Sequence, residues 1–476
     1  MTRQVVLQLE PDSAKPIFLN LAAVIIREIE RGRLKPGAAL PGTRSLSKAL
    51  GIHRNTVDAA YQELIQQGWA VTLPSQGTFV AEDLPDTPPP RSRERPAPTV
   101  AAPPRKSIDI AFSDGAPDAR IAPRAELARA FRRAVSAPSF LRRSPYGEPR
   151  GSARLREALC EYLGSERGLV ADPGDVIITR GSQMALFLVA RALLRPGDAI
   201  AVEDPGYQLA WSAFRAAGAN VVGIPVDQHG ASIEQLAKLA EREPSLRAVY
   251  LTPHHQYPTT VTLNAARRLA LLELMHRRNL ILIEDDYDHE FRFDGRPVLP
   301  LAASTQSAHI VYVGSLSKLL APELRIGYAI ASPKLIERMA TVRQAIDRQG
   351  DLPLEHAVAA LIADGEIRRH ARKSRQVYQA RRDKLAELLQ RHLASFCTFD
   401  VPTGGLAIWL RLSQRLDAEQ WAAAAESMGL GVLAGTTFAL RPRHAPNAFR
   451  LGFGALSESE LSRAVAILAR SRPRSG

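Results

Sequence analysis

A lysine in the second half of the chain is flanked by residues that suit covalent chemistry. The apolar residues 310–313 lead to Ser315, Ser317 and Lys318, and Arg325 follows seven residues later. A partly desolvated lysine amine can form an imine with a carbonyl compound, while serines and an arginine can hold a phosphate. A surface lysine after a buried strand is the simpler interpretation of Ser-x-Ser-Lys alone. The arginine, with a glycine two residues beyond it, favours a binding site.

A second polar cluster precedes this lysine. The apolar residues 280–283 run into Glu-Asp-Asp-Tyr-Asp, which places Asp285 and Tyr287 at the end of a predicted buried strand. Taken alone, such an acidic cluster is more typical of a metal site or a solvated loop. Beside Lys318, it predicts a carboxylate and a phenol that serve the same ligand.

The elements that must position these residues read as an open α/β sheet. Residues 176–179 form a predicted strand, and Gly181, Ser182 and Gln183 open an amphipathic helix whose free amides suit an anion. Further strands end in polar loops at 203–207 and 255–260. Ligand sites in open α/β sheets lie beyond such strand ends.

The N-terminal part has the pattern of a small DNA-binding module. Apolar residues at helical spacing predict a helix over 16–31, a short helix stopped by Gly51, and a third helix that begins near Arg54. Strand-like runs at 69–73 and 78–80 follow. Such a helix-turn-helix with a wing inserts a helix start into the DNA major groove. A helical domain with a solvated charged face is the alternative.

Charge supports a polyanionic partner without identifying it. The chain has 476 residues and a net charge of +13. Residues 1–83 contribute +1, although 27–54 hold seven basic residues against two acidic ones. Residues 84–106 contribute +3, and the remaining +9 is spread over the large domain. The proline- and arginine-rich residues 84–106 predict a semi-rigid linker.

Composition predicts a soluble cytoplasmic protein. No apolar run approaches the roughly 18 residues of a membrane span, so no membrane partner is expected. The first residues lack the apolar core of a secretion signal. Cys160 and Cys397 lie far apart in no metal or redox spacing, which predicts buried free thiols and no metal.

Both parts resemble known families. The segments Gly-Arg-Leu-Lys-Pro-Gly, Leu-Pro-Gly-Thr-Arg, His-Arg-Asn-Thr-Val and Gly-Thr-Phe-Val within 14–83 look like the GntR-type winged helix. The motif Ser-x-Ser-Lys-x-x-x-Pro-x-x-Arg-x-Gly within 107–476 resembles fold-type I aminotransferases, which use pyridoxal 5′-phosphate (PLP). Joined, they look like the MocR/GabR family of transcription regulators. The resemblance implies an α/β fold: a winged helix-turn-helix at 1–83, then a mostly parallel sheet between helices with a smaller C-terminal α/β subdomain.

The motif match assigns the cofactor site by resemblance. Lys318 would attach PLP, Asp285 would pair with the pyridine nitrogen, and Tyr287 would contact the ring hydroxyl. A carboxylate there keeps the nitrogen protonated and the ring an electron sink. The phosphate would be held by Gly181, Ser182, Gln183, Ser315, Ser317 and Arg325.

Further roles follow from the same match. Tyr207 would flank the ring, and Tyr146 would reach the phosphate of the partner subunit in a homodimer. Arg450 matches the arginine that binds a substrate carboxylate, with a structural arginine as the alternative. The residues expected to contact DNA are Arg44, Arg54, Asn55, Thr56 and Gly77.

The chain departs from these family patterns in places. Gln256-Tyr257-Pro-Thr-Thr replaces the Asn-Pro-Thr-Gly of the enzymes, so the usual asparagine donor is absent. Asp58 stands where some GntR-type domains carry a basic residue. The helix-like run at 367–382 is strongly basic, and a solvated face and a second DNA contact are equally consistent with it.

Three functions are compatible with these features. The favoured one is a PLP-dependent regulator that senses an amino compound or PLP and changes DNA binding, with little sustained turnover. The second is a working aminotransferase with an appended regulatory domain. The third is a DNA-binding protein whose large domain only dimerises, and the intact set of Lys318, Asp285 and Arg325 argues against it.

Overall fold

The chain divides into two compact units, Met1–Pro104 and Arg105–Gly476. The computed structural model describes residues 16–84, 108–141, 146–295, 298–304 and 309–473. Apart from residue 84, the predicted linker lies outside the described residues. Within them, no helix is long and apolar enough to cross a membrane, and no group of histidine, cysteine and acidic residues could hold a metal ion.

The N-terminal unit is a three-helix module with a two-stranded wing. Its elements are α1 (Ile17–Glu30), α2 (Thr43–Leu50), α3 (Arg54–Gln66), β1 (Ala70–Leu73) and β2 (Gly77–Val80). Leu21, Ile25, Val57 and Leu64 are fully buried in one small core, as their helical spacing predicts. Gly51 ends α2 in the left-handed conformation that glycine adopts without strain.

The second unit alternates helices and strands. Its helices are α4 (Arg124–Val135), α5 (Pro138–Leu141), α6 (Ala153–Arg167), α7 (Gly181–Leu193), α8 (Gln208–Ala216), α9 (Ile233–Arg242), α10 (Ala265–Arg278), α11 (Pro333–Ile346), α12 (Leu352–Ala363), α13 (Glu366–Leu393), α14 (Ala418–Ser427) and α15 (Glu458–Arg470). Its strands are β3 (Ile110–Ala111), β4 (Val176–Thr179), β5 (Ala199–Asp204), β6 (Asn220–Asp227), β7 (Gly230–Ala231), β8 (Leu246–Leu251), β9 (Ile281–Asp286), β10 (Ile310–Ser315), β11 (Gly327–Ile330), β12 (Cys397–Thr398), β13 (Ala407–Leu412), β14 (Leu430–Gly431), β15 (Leu433–Ala434) and β16 (Ala448–Gly452).

Eight of these strands form one mostly parallel sheet. Their order is β4-β11-β10-β9-β8-β5-β6-β7, and the pairs from β10 to β6 are parallel. Alternate residues point to opposite faces: Ile200 and Val202 pack into one apolar core, Ala199 and Ala201 into another. Burial on both faces explains the continuous apolar runs in the sequence.

A smaller C-terminal subdomain completes the unit. Strands β12, β13, β16 and β15 form an antiparallel sheet, and β14 pairs in parallel with β3. Because β3 comes from the start of the unit, this pairing carries the residues just after it to the C-terminal subdomain. Cys397 is buried as expected, whereas Cys160 is only partly buried, and both are free thiols.

Candidate functional site

Lys318 lies in the loop between β10 and β11. Its Nζ donates hydrogen bonds to the backbone carbonyls of Gly115 at 2.9 Å and Asp114 at 3.3 Å. Burial lowers the pKa of the Lys318 amine. A lowered pKa raises the fraction of neutral amine, which is the form that attacks a carbonyl.

Asp285 lies at the end of β9, the strand next to β10, where it stands opposite Val313 in the sheet. Its Oδ2 accepts a hydrogen bond from the Tyr250 hydroxyl at 2.9 Å, whereas its buried Oδ1 has no partner. Burial raises the pKa of Asp285 to about 7. The free acceptor is what a protonated ring nitrogen requires.

A cavity with an empty volume of about 380 Å³ joins these two residues. It is lined by Asp114, Ser182, Tyr207, Tyr250, Thr252, Tyr257, Asp285, Tyr287 and Lys318. The expected ring-binding residues Tyr207, Asp285, Tyr287 and Lys318 therefore share one cavity.

Arg325, one of the residues expected to hold the phosphate, lies against Gly181 at the start of α7. Gly181 has φ +75°, and a Cβ there would lie 2.9 Å from the Arg325 guanidinium carbon. Arg325 donates to the carbonyl of Arg180 at 3.0 Å, just before the first turn of α7. A cation beside free helix amides suits a phosphate.

The two serines and Gln183, which are also expected to hold the phosphate, have different hydrogen-bond partners. The Ser315 hydroxyl accepts from the backbone amide of Ser317 at 3.1 Å, and the buried Ser317 hydroxyl has no partner. Gln183 donates to the Leu209 carbonyl at 2.7 Å, and its side-chain oxygen is unpaired. The unpaired groups at Ser317 and Asp285 are consistent with PLP: one donor for a phosphate and one acceptor for a ring nitrogen.

Three tyrosines form an aromatic wall. The ring centroids of Tyr207 and Tyr257 are 5.0 Å apart, and those of Tyr257 and Tyr287 are 6.3 Å apart. The Tyr287 hydroxyl donates to the His255 carbonyl at 3.0 Å, so it must exchange this partner to reach a ring hydroxyl. Tyr207 lines the cavity, and its expected role of flanking the cofactor ring stays a prediction.

Arg450 lies on β16, behind the cavity. Its Nε donates to the Asp114 Oδ1 at 3.1 Å and its Nη1 to the Pro258 carbonyl at 2.7 Å. Its guanidinium lies 4.5 Å from the Tyr257 ring centroid. The buried arginine thus contacts Asp114 and Tyr257, two residues that line the cavity, and its present partners are protein groups.

Tyr146 lies outside the cavity. Its side chain is exposed, and the Arg348 guanidinium lies 4.0 Å from its ring centroid. Its expected contact with a partner subunit stays a prediction.

Sequence reasoning missed three residues of the cavity: Asp114, Tyr250 and Thr252. Tyr250 and Thr252 flank the end of β8, so the rule that polar strand ends face the ligand would have found them. In the segment that replaces Asn-Pro-Thr-Gly, Tyr257 lines the cavity. Gln256 is turned inward, where it donates to the Pro205 carbonyl and accepts from Thr259. Asp114, in the segment after β3, had no local sequence signal that predicts a cavity residue.

The residues predicted to contact DNA lie at the starts of α2 and α3 and in the wing. Arg44 lies in the first turn of α2, and the exposed Arg54 and Asn55 begin α3. Arg54 donates to the Thr43 hydroxyl at 3.3 Å and lies 3.7 Å from the Asp58 carboxylate. Thr56 follows in the same turn of α3, while Gly77 opens the second wing strand with φ +114°.

The basic run on α13 is used largely within the chain. Arg368 bonds Glu166, Arg381 bonds Asp118, and Arg375 donates to the Glu290 carbonyl. Arg369, Arg372, Lys373 and Arg375 are exposed. Arg369 is paired with Glu366 and Arg375 with the Glu290 carbonyl, so Arg372 and Lys373 are the side chains to test for a DNA contact.

Comparison with known proteins gives two family matches. Residues 109–468 match the aminotransferase class I and II family, and residues 19–80 match the gntR family of bacterial regulatory proteins. The probable rhizopine catabolism regulatory protein MocR of Rhizobium meliloti is 33% identical over 89% of this chain and 87% of its own length. The pyridoxine biosynthesis regulator PdxR of Corynebacterium glutamicum is 31% identical over 80% of each chain.

Enzymes are similar to a smaller share of the chain. Aromatic-amino-acid aminotransferase 1 of Thermococcus litoralis is 31% identical over 68% of this chain and 78% of its own. Among solved structures, an archaeal alanine:glyoxylate aminotransferase superposes with a TM-score of 0.71 at 28% identity, covering 76% of this chain and 90% of that one. The kynurenine aminotransferase of Pyrococcus horikoshii has the same TM-score at 29% identity, covering 77% and 91%.

Proposed function

The chain belongs to the MocR type of regulators, in which a gntR-type DNA-binding domain is joined to an aminotransferase-like domain that binds PLP, and on that premise we propose that an amino compound, or PLP itself, is the signal it reads. The protein is a PLP-dependent transcription regulator that binds an operator on double-stranded DNA. The effector class is our inference. It rests on the cavity that places Lys318 beside the unpaired Asp285 oxygen.

The residues divide the work of holding cofactor and effector. PLP supplies an electrophilic carbon and a ring that withdraws electrons. Lys318 provides the amine for covalent attachment, Asp285 holds a proton on the ring nitrogen, and Arg325 with the start of α7 binds the phosphate. An effector amine would take the place of Lys318, and Arg450 would bind the anionic group of the effector.

We propose that such binding ends in a changed DNA affinity with little sustained turnover. An effector shifts an equilibrium only by its differential affinity for the two states, so it must persist in the site to act as a signal. The absence of the usual asparagine, where this chain has Tyr257, supports this reading because that donor tunes the ring in the enzymes.

The same cavity keeps a working aminotransferase as the second candidate. Its support is the 31% identity to the Thermococcus litoralis enzyme and the intact Lys318 and Asp285 pair. Titration with amino acids, polyamines and PLP, while the cofactor spectrum and operator affinity are recorded, separates the two. Steady transamination with a 2-oxo acid at about 10 per second, the median for enzymes, would establish the enzyme instead.

We further propose a homodimer that acts in the cytoplasm, where its DNA partner lies. Tyr146 supports the dimer because it is 71% exposed on a single chain and the family match gives it a partner's phosphate to contact. Light scattering on the full-length protein tests this, and a monomeric mass in the presence of PLP would contradict it.

A further inference from the structure

The carboxylate of Asp114 stands between the cavity and Arg450. Asp114 lines the cavity, whereas Arg450 does not. The Asp114 Oδ1 accepts one hydrogen bond from Arg450 Nε at 3.1 Å and another from the Tyr257 hydroxyl at 2.6 Å. A carboxylate of the protein therefore takes the place that the carboxylate of an effector would need.

The two sides of this ion pair differ in freedom. The Arg450 side chain is 2% exposed, while the Asp114 side chain is 43% exposed. A buried guanidinium without an anion is costly, so Arg450 needs a counter-charge in every state. Asp288 is another carboxylate whose charge acts on Arg450, and its Oδ1 is already bonded to the His255 ring at 2.7 Å. Asp114 is thus the partner that can leave, provided that another anion replaces it.

Displacement of Asp114 would also change the hydrogen bonds of Lys318. The Asp114 and Gly115 carbonyls are the acceptors of the Lys318 amine. Gly115 has φ +63°, and a side chain there would lie 3.3 Å from Arg450 Nη2. The backbone at 114–115 therefore contacts Lys318 with its carbonyls and borders the Arg450 guanidinium.

We propose that Asp114 is an internal carboxylate that occupies Arg450 in the absence of effector and is displaced by the carboxylate of an amino-acid effector. This proposal rests on the proposed function of Arg450 as the effector's anion site. Asp114 then sets specificity, because it weakens every carboxylate ligand by the same competition and leaves amines without a carboxylate unaffected.

The test compares matched ligands on the full-length, PLP-loaded protein. Glycine with methylamine, and 4-aminobutanoate with propylamine, differ only by a carboxylate. Calorimetry gives the Kd of each ligand, and the ratio of the two Kd values within a pair measures the contribution of the carboxylate to binding. Asp114→Asn should tighten the amino acids about tenfold, equivalent to about 1.4 kcal/mol, and leave the amines unchanged. Asp400→Asn is the control, since it breaks an exposed pair with Arg411 outside the cavity.

Arg450→Gln tests the role of Arg450 as the anion site separately from the competition by Asp114. It should remove the preference for the amino acid over its amine. If it does so while Asp114→Asn leaves the amino-acid affinity unchanged or weaker, Asp114 does not compete and the present proposal is overturned. If Arg450→Gln changes nothing, the proposed anion site itself is wrong.

A second variant covers the case in which Asp114→Asn folds poorly. Tyr257→Phe removes one of the two hydrogen bonds that hold Asp114 and keeps the charge. It should raise the affinity for the amino acid relative to that for its amine by about threefold, as expected for one hydrogen bond. An unchanged or worsened ratio would overturn the proposal.

Discussion

At the scale of single residues, the chemistry depends on how burial sets the charge of two groups. Lys318 is a buried amine whose pKa is lowered, and Asp285 is a buried acid whose pKa is raised to about 7. Both shifts have desolvation as their largest cause. PLP would reverse the situation at Asp285, because a protonated ring nitrogen stabilises the carboxylate.

Lys318→Ala should abolish covalent attachment of PLP. No other amine lines the cavity among the described residues. The visible absorption band of the attached cofactor should disappear, and borohydride should no longer fix the cofactor to the peptide that contains residue 318. Lys334→Ala, an exposed lysine at the start of α11, should behave like wild type. A reducible band that survives in Lys318→Ala would place the cofactor elsewhere.

Asp285 should make the stability of the PLP-free protein depend on pH. Its folded pKa of about 7 lies above its ordinary value near 3.8, so the folded state binds the proton more tightly than the unfolded state does. The stabilisation is present below about pH 4 and is lost as the pH rises through 7. Relative to Asp285→Asn, wild type should therefore lose free energy of unfolding over this window in urea titrations. A constant difference would contradict the buried acid.

At the scale of elements, two features can be tested: the backbone strain of the loop after β8 and the positive charge at the start of α3. Thr260 has φ +66° in the loop after β8, where the enzymes' motif has glycine. A β-branched residue in this region is strained. Arg54, in contrast, begins α3 in an open position and is held by Thr43 and Asp58.

Thr260→Gly should stabilise the protein by about 1 kcal/mol, because release of left-handed strain exceeds the added chain entropy. Thr262→Gly is the matched control. Its φ is not positive and its hydroxyl bonds the His254 carbonyl at 2.8 Å, so this change should destabilise. Urea unfolding of both variants measures the two signs. Equal destabilisation would show that Thr260 is not strained.

Arg44→Ala and Arg54→Ala should each weaken DNA binding. Loss of a phosphate contact should lower the salt slope by about 1, whereas loss of a base contact should cost about 1–3 kcal/mol. Arg411→Ala, in the other unit, serves as the charge control. Footprints identical to wild type for both variants would mean that the recognition helix is misassigned. Arg372→Ala and Lys373→Ala in the same assay decide whether α13 touches DNA.

At the scale of the whole molecule, the two units must be coupled for the protein to sense anything. If an effector changes operator affinity by some factor, operator DNA must change effector affinity by the same factor. Calorimetry of the effector with and without DNA should match the shift seen in DNA titrations. Lys318→Ala should reduce both factors to about 1. Unequal factors in the wild type would rule out a linked equilibrium.

The sequence by itself determined the elements and the residues at their ends. Apolar runs buried on both faces predicted β9 and β10, and the polar residues that follow them placed Asp285 and Lys318 at one sheet edge. The starts of α3 and α7 were visible in the same way. These features are local, because burial and helix capping act over a few neighbouring positions.

Only the tertiary structure decided which distant side chains meet. Asp114 and Arg450 are 336 positions apart and come together because β3 pairs with β14 and β16 lies in the C-terminal sheet. The inward turn of Gln256, which leaves Tyr257 in the cavity, depends on contacts with Pro205 from another loop. No local pattern encodes such pairings, because they are stabilised by burial and hydrogen bonds between segments that lie far apart in the sequence.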